Sequence, residues 1–200
     1  MKINKIIGIG FHKTGTSTLR AVFEILNFSV LGPRTDLAND IFDANWDKVF
    51  KLADKFDVLE DNPWAVIYKE LDAQYPGSKF IMTTRDENKW IKSVVNHFGG
   101  DTTRMREYIY GEGNGDPENL ALLYLERYRR HIIEVKDYFK DRPEDLLIIS
   151  WEQGHGWKEI CDFLKINQPK KEFPHVNKGA YTNSEKILKN LKDFLRPYLK

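Results

Sequence analysis

The chain has 200 residues, of which 30% are charged, yet 31 basic side chains against 30 acidic ones leave a net charge of only +1. That length buries a real core, and that balance excludes the broad basic field a duplex nucleic-acid partner requires, so any anion site is local. The single cysteine, Cys161, excludes an internal disulfide framework, and its place on the apolar side of a predicted helix reads as a buried, inert thiol.

The N-terminal stretch "MKINKIIGIGF" is too short and too interrupted by glycine for a signal peptide, and no apolar run reaches membrane-spanning length. A soluble, cytoplasmic protein with no membrane partner is expected. Its first β-rich run covers 4–10, after which Leu19, Val22, Phe23 and Leu26 recur at helical spacing. A second run, 56–61, leads to Asn62 and Pro63, which read as N-cap and first position of a helix over "WAVIYKELDAQY". After the third run, 79–84, Asp86 opens "ENKWIKSVVNHF", which a Gly-Gly pair ends. An excursion at 99–144 follows, with a glycine-rich loop and a predicted helix from Asn119 to about Phe139. A fourth run, 145–150, precedes the short helix "GWKEICDFL", and the tail from Ser184 to Leu199 reads as helix. Strands alternating with helices predict a central parallel sheet covered on both faces, a three-layer α/β sandwich. Without a repeat or linker, residues 1–200 read as a single domain with a helical insert at about 99–144.

Chemistry concentrates in "GIGFHKTGTSTL", residues 8–19. A strand that delivers a glycine-containing loop to a helix N-terminus gathers backbone N–H groups around an anion. Gly10 is expected to permit the tight turn and Gly15 the close approach of a ligand, with Thr16, Ser17 and Thr18 adding hydroxyl donors. In the nucleotide-hydrolase loop G-x-x-x-x-G-K-[ST] the lysine follows the second glycine; here Thr16 stands there and Lys13 lies inside the loop. Metal-assisted phosphoryl transfer also needs an acidic residue at a neighbouring strand end. The run 79–84 ends instead in Arg85, and the five histidines lack metal-ligand spacing. The site therefore reads as one where cations and amides handle an anion, with no metal required.

These residues carry a family resemblance. "GFHKTGTSTL" resembles the 5′-phosphosulfate loop of sulfotransferases that use 3′-phosphoadenosine 5′-phosphosulfate (PAPS), in which the lysine stands two before the second glycine. "TTRDENKWIKS" is similar to that family's second block, with Arg85 and Ser93 eight apart. The stretch from 145 to 179 resembles the end of small sulfotransferase-like domains; the insert matches no motif. The resemblance implies a P-loop NTPase-like sulfotransferase fold. It also implies PAPS as donor and 3′,5′-ADP as product, without metal or redox cofactor. Lys13, Thr14, Gly15, Thr16, Ser17 and Thr18 would cradle the 5′-phosphosulfate, and Arg85 with Ser93 would grip the 3′-phosphate. Trp151 occupies the place of an aromatic that packs on adenine, whereas Trp90 reads as core. Lys178 and Gly179 resemble a segment that closes over the 3′-phosphate, with His175 and Asn177 shaping that loop.

Lys13 is expected to stabilise charge on the leaving oxygen. A general base is also needed. Glu60 and Asp61 end the second strand; Asp61 is the choice because similar domains show D-x-P there, although a carboxylate supporting a helix N-terminus explains it too. His12 is the runner-up base and His97 a weaker one. The insert carries Arg104, Arg106, Tyr108 and Tyr110, and such insertions form lids or acceptor walls; its arginines read as solvated helix charges or as a receptor for an anionic acceptor. Small-molecule and glycan acceptors both remain open. Two other readings stand beside the transferase: a small-molecule kinase using Mg-ATP, and a non-catalytic nucleotide-binding relative.

Overall fold

A computed structural model describes residues 4–176. Five strands form one parallel sheet: β1 (Ile6–Gly8), β2 (Val30–Leu31), β3 (Val58–Glu60), β4 (Lys79–Thr83) and β5 (Leu146–Ile149), in the order β2-β3-β1-β4-β5. The alternation of a strand sends successive side chains to opposite faces, and this sheet uses it to feed two cores. Ile7, Leu59, Phe80 and Met82 enter one; Ile6, Val58, Ile81 and Ile149 enter the other.

The second core is closed by α1 (Thr16–Ile25) and α8 (Trp157–Leu164), through Leu19, Val22, Phe23, Ile160 and Leu164. Cys161 is buried there, as its position on the apolar side predicts. The first core is covered by α3 (Trp46–Ala53), α4 (Tyr68–Gln74), α5 (Glu87–Phe98) and α7 (Ala121–Tyr138). Helices on both faces make this a three-layer α/β sandwich. The order reverses at β1, with β3 on one side and β4 on the other. The crevice beyond the strands' carboxyl ends is the ligand position in such sheets.

Three features depart from the sequence expectations. Asn62 does not cap a helix: residues 61–67 form turns, and α4 begins only at Tyr68. Trp64, Ala65 and Ile67 are all fully buried, and the Trp64 indole donates to the Gly32 carbonyl at 2.9 Å. Burying that tryptophan in the first core takes precedence over the helix start that Asn-Pro favours. Strand β2 and the helices α2 (Ala38–Phe42) and α3 were not predicted. β2 is a two-residue edge strand whose only strand partner among the described residues is β3, too short for a periodic signal. Between α5 and β5 the chain forms α6 (Arg104–Tyr110) and α7. The predicted helix at 184–199 lies outside the described residues.

Candidate active site

The loop between β1 and α1 owes its shape to two residues in the left-handed region. Lys13 has φ 65° and Gly15 φ 102°. Such a backbone turns amides inward into an anion-binding nest at the N-terminus of α1, where a helix favours an anion. The two glycines have different jobs from those expected. Gly10 is required by close packing, since a Cβ there would stand 2.0 Å from Thr83 Oγ1 and 2.6 Å from the Thr83 carbonyl oxygen. Gly15 carries the positive φ, and a Cβ on it would meet the Trp151 ring at 2.3 Å. The loop is strapped from two further sides: Trp90 Nε1 donates to the His12 carbonyl at 2.8 Å and Trp151 Nε1 to the Gly15 carbonyl at 3.1 Å.

A cavity of about 1280 Å³ opens above this loop. Lys13, Thr14, Gly15, Thr16, Ser17, Thr18, Arg85, Ser93 and Trp151 all line it, as do Asp61, His12, His97 and His175. The structure thus gathers nearly every predicted site residue on one surface. Lys178 and Gly179 lie outside the described residues, as does Asn177.

Within the loop the hydroxyls are not equivalent. Thr14 Oγ1 bonds to the Phe11 carbonyl at 2.5 Å and to Thr83 Oγ1 at 2.6 Å, tying the loop to β4. Thr16 Oγ1 donates to Asp61 Oδ2 at 2.6 Å, and Thr18 Oγ1 accepts from the Val176 amide at 3.3 Å. Ser17 is exposed at the cavity. On the β4 side, Arg85 Nη1 donates to the Lys13 carbonyl at 3.2 Å, and its Nε lies 3.6 Å from Glu152. Its neighbours Asp86 and Glu87 are engaged elsewhere, Asp86 as the cap of α5 and Glu87 in an ion pair with Arg129. Ser93 follows on α5 and faces the same cavity.

Asp61 ends β3 with φ 70°, a conformation aspartate tolerates better than most residues. Its Oδ1 accepts the Asn62 amide at 2.7 Å while Oδ2 takes Thr16. It therefore does support a helix N-terminus, but that of α1. Burial raises its pKa, opposed by the Thr16 and Asn62 hydrogen bonds and by Arg20 and Lys13. Burial lowers that of Lys13, Arg85 adds to the effect, and Asp61 opposes it. Behind Asp61, Glu60 is 1% exposed and holds Arg20 Nε at 2.9 Å. Burial, and then the Asp61 charge, push its carboxyl up to about 8 against the pull of Arg20.

The runner-up base is placed differently. His12 is buried with both ring nitrogens engaged, Nδ1 with Asn62 Nδ2 at 2.7 Å and Nε2 with Tyr110 Oη at 3.1 Å. Burial, then Arg106, Lys13 and His97, bring its pKa down to about 3, so it is neutral at ordinary pH. His97 is more exposed; burial and then Lys13 lower its pKa, while Asp61 raises it.

The insert lines the cavity through Thr103, Met105, Arg106 and Ile109 of the α6 region. Arg106 is a correction to the reading of solvated charges: it is 7% exposed, donates to the Gly115 carbonyl at 2.8 Å and to the Asp101 carbonyl, and lies over the Phe98 ring. Its guanidinium organises the insert. Arg104, more exposed, fits the original reading and pairs with Glu107. Pro33 and Thr35 complete the wall opposite; they belong to no motif, and no signal in the sequence marks them. Trp90 is fully buried and stacks on Tyr128, so it is core as predicted. Among the described residues, no group of three or more His, Cys, Asp or Glu side chains is placed to share a metal ion.

Comparison with known proteins adds three findings. The chain matches the sulfotransferase domain family over residues 5–112 and 100–182. It is similar to the Ava biosynthesis cluster protein M of Aspergillus versicolor, with 26% identity over 213 residues, covering 86% of this chain and 80% of that protein. A crystal structure of a sulfotransferase from Alicyclobacillus acidocaldarius shares the fold, with a TM-score of 0.52 at 16% identity, covering 98% of this chain and 92% of that one.

Proposed function

Because the chain belongs to the sulfotransferase domain family, we propose that it moves a sulfuryl group from PAPS to a hydroxyl or amine of a small-molecule or glycan acceptor, leaving 3′,5′-ADP. The observation that supports this best is the convergence of Lys13, Arg85 and Ser93 with the first turn of α1 on one cavity wall. The residues fit such a donor. A left-handed nest at Lys13 and Gly15 turns backbone amides toward the place a phosphosulfate would take. Arg85, whose guanidinium also reaches the Lys13 carbonyl, and Ser93 line the same cavity from the end of β4 and from α5, and would hold a second phosphate. Trp151 offers a ring at the cavity edge for the base.

When bound, PAPS supplies the activated sulfuryl group. Asp61 takes the acceptor's proton, because each of its oxygens has one bond and keeps a lone-pair direction for another donor. Burial that raises its pKa also makes it a stronger base. Lys13 places an ammonium where negative charge develops on the bridging oxygen, in a site where burial strengthens the interaction. Loop amides would hold the phosphosulfate group, and Arg85 with Ser93 would hold the 3′-phosphate of the nucleotide. His12, with both nitrogens committed, is assigned to positioning in place of proton transfer. No residue here needs a metal ion for its part.

We read residues 1–200 as one domain and place the protein in the cytoplasm, without a nucleic-acid or membrane partner. No helix among the described residues is long and apolar enough to cross a membrane.

Calorimetric titration with 3′,5′-ADP and, separately, Mg-ATP tests the donor. Charge-assisted contacts are each worth about 1.5–3 kcal/mol, so a preference of about tenfold or more for 3′,5′-ADP is expected. Equal or reversed affinity supports a kinase instead. Turnover of labelled PAPS over an acceptor panel separates an enzyme from a nucleotide-binding relative.

A further inference from the structure

The segment between α5 and β5, which the family match covers, carries one buried side chain that reaches the β1 loop from behind the cavity. Tyr110, the last residue of α6, places its hydroxyl 3.1 Å from His12 Nε2. On the other side of the ring, Asn62 Nδ2 lies 2.7 Å from Nδ1. An amide nitrogen only donates, so Nδ1 holds the lone pair and Nε2 holds the proton that it gives to Tyr110 Oη. Asn62 in turn donates its backbone N–H to Asp61 Oδ1 at 2.7 Å. Tyr110, His12 and Asn62 are all buried, at 6%, 4% and 6% exposure. The frame around them is stiff: Tyr110 stacks on Tyr124 with ring centroids 3.5 Å apart, and Trp90 grips the His12 carbonyl.

We propose that Tyr110, His12 and Asn62 form a positioning relay that holds the Asp61 carboxylate in place, so that the insert sets the general base as well as walling the cavity. The inference rests on the reading of Asp61 as that base. Buried polar groups cost stability unless satisfied, and apolar side chains would pack the same space without that cost. What the network adds is one fixed geometry across the β1 loop, the β3 loop and α6. Because burial and neighbouring cations keep His12 neutral, its tautomer does not change over the working pH range. The groups facing Asp61 are Lys13, Arg20, Thr16 and the Asn62 amide; those facing Tyr110 are Tyr124, Arg127, Arg106 and Asp61; those facing His12 are Arg106, Lys13 and His97. Tyr110→Phe changes none of these charges, so any shift in the pH profile reports position.

The experiment uses the full chain and follows 3′,5′-ADP release from PAPS with an accepted acceptor. Tyr110→Phe keeps the ring and its stack while removing Oη. It is expected to lower kcat about ten- to a hundredfold, the scale of a misplaced catalytic group, with KM for PAPS unchanged. The acid limb of the pH–rate profile moves down toward the ordinary carboxylate range, as a released Asp61 regains solvent. The decisive measurement is a double-mutant cycle with Asp61→Asn, in which the tyrosine substitution has no further effect if it acts only through that carboxylate. Additive losses overturn the relay, and so does Tyr110→Phe with unaltered kcat and pH profile beside a crippled Asp61→Asn. An Asp61→Asn variant with full activity and an unperturbed profile overturns the base assignment itself. Should Tyr110→Phe fold poorly, His12→Gln in the same cycle gives the same two outcomes.

Discussion

At the end of the cavity nearest α1, the chain grips mainly with backbone. The nest at Lys13 and Gly15, the first-turn amides and the straps from Trp90 and Trp151 come from one loop and its immediate neighbours. The rest of the wall draws side chains from separate stretches, among them Pro33 and Thr35, Asp61 and Asn62, His97 and Phe98, and Met105 and Ile109. A backbone cradle recognises an anion common to every reaction of a donor, and a single side-chain change alters it little. A side-chain wall is re-cut by substitution, which suits the end where acceptors differ. The two are joined by the hydrogen bond from Thr16 to Asp61 and by the chain through His12.

If the two ends work separately, substitutions at each should move different constants. Asp61→Asn is expected to have the largest effect, lowering kcat about 10²–10⁴-fold, the range for a lost general base, and flattening the acid limb of the pH–rate profile. Its affinity for 3′,5′-ADP should stay at the wild-type value; a parallel loss in calorimetry would show that the ends are one unit. Lys13→Ala is expected to cost about 10²–10³-fold in kcat, the scale for one oxyanion-type donor. An unchanged kcat removes Lys13 from the chemistry. Arg85→Ala should weaken 3′,5′-ADP about tenfold or more through loss of a charge-assisted contact, yet leave 5′-AMP binding alone. Equal weakening of both nucleotides would place Arg85 on the loop, through its bond to the Lys13 carbonyl, in place of the 3′-phosphate.

The smallest effect concerns the buried support beneath Asp61. The Glu60 carboxyl titrates near 8 in the folded chain, above its ordinary 4.5. A raised carboxyl favours the folded state while protonated, so this contribution is fully present below about pH 4.5 and is lost as pH rises through about 8. Glu60→Gln should remove that dependence, so that its melting temperature gains on the wild type between about pH 5 and pH 9. A constant difference over that range would mean that the Arg20 pair keeps Glu60 ionised throughout.

Much of the fold was legible because its signals are local. Four of the five strands were visible as β-rich runs, α1 as periodic apolar residues, α5 as a stretch between Asp86 and a Gly-Gly pair, and α7 and α8 as helical stretches. The loop that links β1 to α1, and the pair of Arg85 and Ser93 after β4, were visible as spacings. β2 was not, because two residues at a sheet edge leave no period. The helix expected from Asn62 failed because burying Trp64 against Gly32 outweighed a favourable N-terminal pair.

By itself, then, the sequence determined an α/β sandwich with a glycine-containing loop at a strand end and an arginine eight residues before a serine. These depend on backbone conformation and helix phase, which consecutive residues encode. Only the tertiary structure decided what surrounds Asp61, why His12 is committed, and that Arg106 and Tyr110 are buried parts of the site. Those features join residues 50 and 98 positions apart. Hydrogen bonds between side chains leave no period or motif along the chain, so they exist as a pattern only once the sheet has brought the loops together.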